Sequence, residues 1–257
     1  VLPIGVVLTM AATASEANGV SVIWNEEQNR KCALTDARVC PKFALMNPEL
    51  TYTVPARQTA AGSLDIFAHA FERYIVRSQE GVLRDHLCES IMQTVIEELP
   101  VVLADPASEE GRSELMWTAT MAHSNMIGFE GDYACHAVSH IFTELFGLSH
   151  GEALAMLMPA WCRMMSPREP EFMIKFFSHV WCAEGEDDEA LIWDGVKRFY
   201  RFISSCGLAT TLKEAGFINV DTEQVTDKVL QGGKQFIGGG FQKLYRQDVK
   251  NLIELCL

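Results

Sequence analysis

Apolar residues in the first fifty positions alternate or run in short unbroken stretches; beyond residue 55 they recur with a helical period. Val6, Val7 and Leu8 form one run, and Val20, Val22 and Ile23 another. Both read as strands. Asn25 to Arg30 is polar enough to be a hairpin tip, with the chain returning through Cys32 and Leu34. Phe43 to Met46 is a further short strand, closed by Asn47-Pro48. The period then changes. Leu64, Phe67, Ala68, Phe71 and Ile75 fall on one helix face, which predicts a helix from Gly62-Ser63 to about Ser78. Further helices are predicted near 82–104, 110–127, 132–146, 170–182, 187–206, 208–216, 221–231 and 245–256. Ser149 and Glu152 make an S-x-x-E capping box that opens another, with His150 in its first turn. Pro159 is expected to kink or end that helix. The pattern therefore predicts a small β-containing piece, residues 1–54, followed by an all-helical domain, residues 55–257.

Composition narrows the function classes. At 48% hydrophobic and 21% charged residues, the 257-residue chain is globular rather than disordered. Lys and Arg number 21 against 34 Asp and Glu, a formal charge of −13. Such an acidic surface is unsuited to nucleic acid or to anionic lipid. The apolar opening, Val1 to Ala14, is too short to cross a bilayer. None of the eight cysteines is spaced as CxxC, so they read as reduced core thiols of a cytoplasmic protein. The start at Val1, directly in a strand, predicts a fragment of a longer chain.

The candidate chemistry lies in three short motifs. Asp65 and His69 are spaced i, i+4, which on a helix puts both side chains on one face, a turn apart. His136 and His140 repeat that spacing, and His150 sits at the start of the capped helix. Each motif alone has an ordinary structural explanation. Together they place three of the seven histidines within fifteen residues and a fourth beside an aspartate. Imidazole and carboxylate in combination suit divalent Fe²⁺ or Zn²⁺.

These segments carry a resemblance. The stretches L-T-M-A-A-T-A-S-E (8–16), G-S-L-D-I-F-A-H-A-F-E-R-Y (62–74), G-D-Y-A-C-H-A-V-S-H (131–140) and L-S-H-G-E-A-L-A-M-L-M-P-A-W (148–161) resemble the iron-containing (group III) alcohol dehydrogenase family, near its butanol dehydrogenase branch. The resemblance covers essentially the whole chain. It implies a mainly α fold, in which an all-α metal-binding domain follows a β-rich remnant of an α/β dinucleotide-binding domain. It implies Asp65, His69, His136 and His150 as ligands of one divalent metal, Fe²⁺ or Zn²⁺, and His140 as a nearby proton-relay candidate. Thr9, Thr13 and Ser15 match the stretch that contacts the nicotinamide of NAD(P), and Lys31 matches a basic residue that reaches the cofactor ribose. Ala14 departs from the family's pattern, standing where glycine is usual. The implied reaction is hydride transfer between a primary alcohol or aldehyde and NAD(P), in a protein that is a homodimer at full length.

One family feature has no counterpart in residues 1–54: a glycine-rich phosphate-binding turn between strand and helix. Gly238-Gly239-Gly240 does not replace it, because it follows no strand of a βαβ unit and reads as a loop. Alternative readings are a glycerol dehydrogenase-like or dehydroquinate synthase-like metal enzyme, or a catalytically inactive metal-binding fragment. Trp117, Phe129 and Trp161 are candidates for lining an apolar substrate pocket.

Overall fold

Helices dominate the protein, and one of them runs through its middle. A computed structural model describes residues 2–25, 27, 30–79, 81–128 and 130–257, with the backbone alone described at 24, 25, 30–33 and 79. In the β-containing piece, β1 (Gly5–Val7) pairs in parallel with β4 (Phe43–Leu45), and β2 (Val20–Asn25) and β3 (Arg30–Thr35) form an antiparallel hairpin. Gly5 lies opposite Phe43, and a Cβ there would collide with the Phe43 ring.

The helical part opens with α1 (Ala56–Tyr74), followed by α2 (Val82–Ala104), α3 (Glu109–His123), α4 (Ala134–Phe146) and α5 (His150–Met165). Then come α6 (Pro170–Trp181), α7 (Asp188–Ser205), α8 (Thr222–Val229), the antiparallel pair β5 (Phe236–Gly238) and β6 (Lys243–Tyr245), and α9 (Arg246–Glu254). Every residue of α1 from Thr59 to Tyr74 is buried, because α2, α3 and α5 all pack against it. Its apolar face meets Trp161, Phe176, Trp181 and Phe199. Its polar residues Asp65, His69, Glu72 and Arg73 are buried as well. That is costly without partners and marks the helix as more than a packing element.

Several element expectations change. α1 starts six residues before Gly62, since the stretch from Ala56 to Ala61 is itself helix-compatible. α3 stops at His123, where Ser124 turns extended. Residues 208–216 form turns rather than a helix. There Glu214 Oε2 accepts from both the Thr210 amide and its hydroxyl, and Thr211 Oγ1 accepts from the Glu214 amide. Those side-chain bonds compete with helix extension. Pro159 does not end α5, which continues to Met165. The glycine run ends β5 at Gly238 and opens the connection to β6, a hairpin whose strands the periodicity missed because each has only three residues. The described cysteines Cys40, Cys88, Cys135, Cys162, Cys182, Cys206 and Cys256 are free thiols. Among the described residues no helix is long and apolar enough to cross a membrane.

Candidate metal centre

Local sequence sets the first pair. Asp65 and His69 project from one face of α1, with Asp65 Oδ1 3.5 Å from His69 Nε2. His136 comes from the first turn of α4, and its Nε2 is 3.7 Å from the same oxygen. His150 is the first residue of α5, where Glu152 accepts from both the amide and the hydroxyl of Ser149. Its Nε2 lies 3.6 Å from Asp65 Oδ1. α5 reaches this position because residue 151 is glycine. A Cβ there would stand 1.8 Å from the Ala61 carbonyl oxygen of α1.

These separations are too long for hydrogen bonds. They lie at or just above the edges of a tetrahedron around a cation with ligand bonds of about 2.0–2.2 Å, which run to roughly 3.3–3.6 Å. Asp65 Oδ1 and His136 Nε2 are buried and have no hydrogen-bond partner, a state that native proteins rarely leave uncompensated. Asp65, His69 and His136 together satisfy the proximity expected of a metal-holding group, and His150 stands as close to Asp65 Oδ1 as they do. The donor set therefore fits one divalent cation.

The outer contacts differ for each imidazole. His136 Nδ1 is bound to a carboxylate oxygen of Glu72, and the other Glu72 oxygen accepts the Cys135 amide at 2.7 Å. His150 Nδ1 is 3.0 Å from Ser139 Oγ, whose own proton goes to the His136 carbonyl. Ser139 is thereby the acceptor, and the neutral His150 carries its proton on Nδ1. His69 is held by stacking instead: the His123 ring lies over it at 3.7 Å between centroids. Arg73 donates to His123 Nδ1 at 3.2 Å.

Electrostatics follow these contacts. Burial works against the charge of Asp65, but His136, His150 and His123 outweigh it and hold the carboxyl below its usual range. Burial, reinforced by His136 and His123, keeps His69 well below the ordinary histidine value. Burial and Arg73 bring His123 down to about 4. For His136, Glu72 and Asp65 overcome burial and raise the imidazole to about 9. Two buried carboxylates thus favour positive charge between them, a requirement that a divalent cation meets.

The remaining expected residues are placed as follows. His140, one turn beyond His136, is partly buried with its ring 5.2 Å from His150, edge to face. Thr9, Thr13 and Ser15 are exposed on the loop after β1. That loop is tied to α3: Thr120 Oγ1 donates to Glu16 Oε1 at 2.5 Å, and Asn18 Nδ2 donates to the carbonyls of Thr13 and His123. Ala14 is left-handed there, with φ +49°, a conformation that glycine adopts without strain. The side chain of Lys31 lies outside the described residues. Trp117 and Trp161 are not brought to one pocket, since Trp161 is core and Trp117 is exposed on α3, and Phe129 lies outside the described residues.

Sequence reading missed Glu72, Arg73, Ser139 and His123. Glu72 had a signal, since it lies three residues after His69 on the same helix face. His123 had none, because only packing carries the end of α3 over His69. The glycine run 238–240 also has a partner: Asp132 accepts the amides of Gly239 and Phe241 at 3.0 and 2.9 Å.

With this geometry in hand, comparison with known proteins is direct. Residues 59–257 match the Fe-containing alcohol dehydrogenase family, C-terminal, and residues 1–48 match the iron-containing alcohol dehydrogenase description. The chain is 32% identical over its whole length to a probable NADH-dependent butanol dehydrogenase 1 of Bacillus subtilis, covering 66% of that protein. It is 32% identical to the NADPH-dependent aldehyde reductase YqhD of Escherichia coli, over 92% of this chain and 62% of that one. The crystal structure of NADH-dependent butanol dehydrogenase A from Thermotoga maritima superposes with a TM-score of 0.91 at 29% identity, covering 99% of this chain and 66% of that one. The chain thus spans about two thirds of the length of these relatives.

Proposed function

Because the chain belongs to the iron-containing alcohol dehydrogenase family, we propose that it carries the metal-binding part of an NAD(P)-dependent enzyme interconverting a primary alcohol of the butanol class and its aldehyde. The observation that carries this reading is the convergence of three imidazole Nε2 atoms on Asp65 Oδ1. Asp65, His69, His136 and His150 are the residues that would hold one Fe²⁺ or Zn²⁺. When bound, the cation supplies Lewis acidity at the alcohol oxygen, and NAD(P) accepts or returns the hydride.

The chain's own residues do the rest. Glu72 and Ser139 orient two of the imidazoles, and the His123 ring closes one side of the third. His140, partly buried beside His150, is suited to pass the alcohol proton from the site to water through its imidazole. The exposed hydroxyls of Thr9, Thr13 and Ser15 would orient the nicotinamide, and the family resemblance assigns Lys31 to the cofactor ribose. We read residues 1–54 as part of the nucleotide-binding domain, and the full protein as a cytoplasmic homodimer.

Metal analysis tests the assignment. The purified protein is expected to hold one equivalent of divalent metal and its His150→Ala variant none. A variant that keeps a full equivalent overturns the ligand set. For the reaction, the natural gene product is assayed with butanal and NADH or NADPH, and with glycerol and the oxidised nucleotides. Preference for glycerol overturns the substrate reading.

A further inference from the structure

Glu72 is completely buried on α1, and each of its side-chain oxygens has a separate task. One accepts the amide of Cys135, in the first turn of α4. The other binds His136 Nδ1. Its backbone carbonyl accepts the amide of Asp132 at 2.9 Å. Asp132 in turn takes the amides of Ala134, Gly239 and Phe241. Tyr133, which precedes α4 in a left-handed conformation with φ +54°, supplies no side-chain cap, so the first-turn amides are taken by Asp132 at Ala134 and by Glu72 at Cys135. One carboxylate therefore both terminates α4 and sets the orientation of the imidazole that α4 presents.

We propose that Glu72 is the positioning residue of the centre, fixing His136 as the Nδ1–H tautomer so that its Nε2 lone pair faces Asp65, and that it thereby sets how tightly the centre holds its cation. The inference rests on the metal-binding reading above. The physical ground is the contrast among the outer partners. His136 has an ionisable carboxylate, His150 a neutral hydroxyl, and His69 no hydrogen-bond acceptor for Nδ1. A carboxylate partner makes an imidazole a stronger donor to metal than a neutral one does, and it fixes the tautomer.

Glu72→Gln isolates the effect. Glutamine has the same shape but one acceptor and one donor group. If its oxygen takes the Cys135 amide, its NH₂ faces His136 Nδ1, which must then be unprotonated. The imidazole proton moves to Nε2 and points at Asp65. If the amide is turned the other way, the NH₂ confronts the Cys135 N–H and the start of α4 loses its partner. Neither orientation keeps both contacts while leaving the Nε2 lone pair free for a cation.

The experiment titrates Co²⁺ into the whole chain, reading its visible d–d absorption, and measures Zn²⁺ affinity by competition with a chromophoric chelator. Wild type, Glu72→Gln and Ser139→Ala are compared, with circular dichroism as a folding check. The expected result is one Co²⁺ site in wild type. Glu72→Gln weakens Zn²⁺ binding roughly 10- to 100-fold with an altered cobalt spectrum, and Ser139→Ala has a smaller effect. A merely structural role would lower the melting temperature and leave the spectrum unchanged. A folded Glu72→Gln protein with wild-type affinity and spectrum overturns the proposal and leaves the ligand set standing. Absence of a site in wild type overturns both. Should Glu72→Gln fail to fold, ¹⁵N-histidine NMR of the Zn²⁺-loaded wild type decides. A His136 Nδ1–H proton well downfield of that of His150, the mark of a charged acceptor, supports the proposal, and matching shifts overturn it.

Discussion

Helix α1 contributes to two polar clusters, and they are built on opposite principles. Around Tyr74, every strong contact is a donor meeting an acceptor. Glu89 Oε1 accepts from the Tyr74 hydroxyl at 2.8 Å and from His179 Nδ1 at 2.9 Å. Lys175 lies over the Tyr74 ring and donates to Asp85 at 2.6 Å, and Arg84 donates to the same carboxylate at 2.9 Å. Around Asp65, three imidazole nitrogens face one carboxylate oxygen beyond hydrogen-bonding range, and that oxygen has no donor. Both clusters pair histidine with a buried carboxylate, Asp65 in one and Glu89 in the other, although His179 itself is exposed. Residue type therefore does not separate a binding centre from a structural network. Unmatched lone pairs do, because a closed network satisfies its own groups and an open one needs a ligand to do so.

The comparison breaks most visibly at Asp65. Asp65→Asn removes the shared oxygen's charge, and metal analysis of the purified protein is expected to show loss of the stoichiometric metal. Thermal stability of the metal-free protein should fall at neutral pH, since the charge that His136, His150 and His123 favour in the fold has been removed. A variant that retains a full metal equivalent would place the cation elsewhere.

In the closed cluster the expected response is confined to stability. Tyr74→Phe deletes a buried hydrogen bond to a carboxylate and is expected to cost about 2 kcal/mol in urea unfolding. Its metal content should equal that of wild type. Coupled loss of metal and stability would show that the two clusters are one cooperative unit.

A smaller effect is expected at Asp85, and it depends on pH. Burial tends to raise this carboxyl, but Lys175 and Arg84 outweigh it and hold it below its usual value. A depressed folded-state value stabilises the protein above the unfolded-state value, near pH 4, and that stabilisation is lost as pH falls through the folded-state value. Asp85→Asn should therefore be less stable than wild type at pH 7, by about 1 kcal/mol. The two unfolding curves should converge in strong acid; a gap that does not close would remove the ion pairs as its source.

The least effect is expected at the loop bordering the open cluster. Ala14 is buried with φ +49°, and a left-handed alanine costs about 1 kcal/mol or more. Glycine relieves that strain but loses more chain entropy on folding. Ala14→Gly should gain at most about 1 kcal/mol in melting experiments, with metal content unchanged. A loss of stability would mean that the Cβ packs favourably enough to offset its backbone strain.

Much of the architecture was legible because it is local. The Asp65–His69 pair needed only helical spacing, and the Ser149–Glu152 box needed only the first turn of α5. The predicted helices 82–104, 170–182 and 187–206 agree with α2, α6 and α7 to within a residue, each having a long periodic pattern or clear capping residues. Residues 208–216 failed because the Thr211 hydroxyl and the Glu214 carboxylate there bond backbone amides in competition with a helix, an outcome that apolar spacing does not reveal. The β5–β6 hairpin failed because strands of three residues leave almost no alternation to read.

By itself, the sequence determined which residues share a turn of helix, where helices are capped, the acidic surface, and the four motifs that resemble one enzyme family. Tertiary structure alone decided that α5 can approach α1 at Gly151, that His123 stacks on His69, and that Glu72 serves α4 and His136 together. The division has a physical cause. Contacts within one helical turn follow from backbone geometry common to all sequences. Contacts such as Glu72 with His136, 64 positions apart, exist only once the helices have packed at their particular separations.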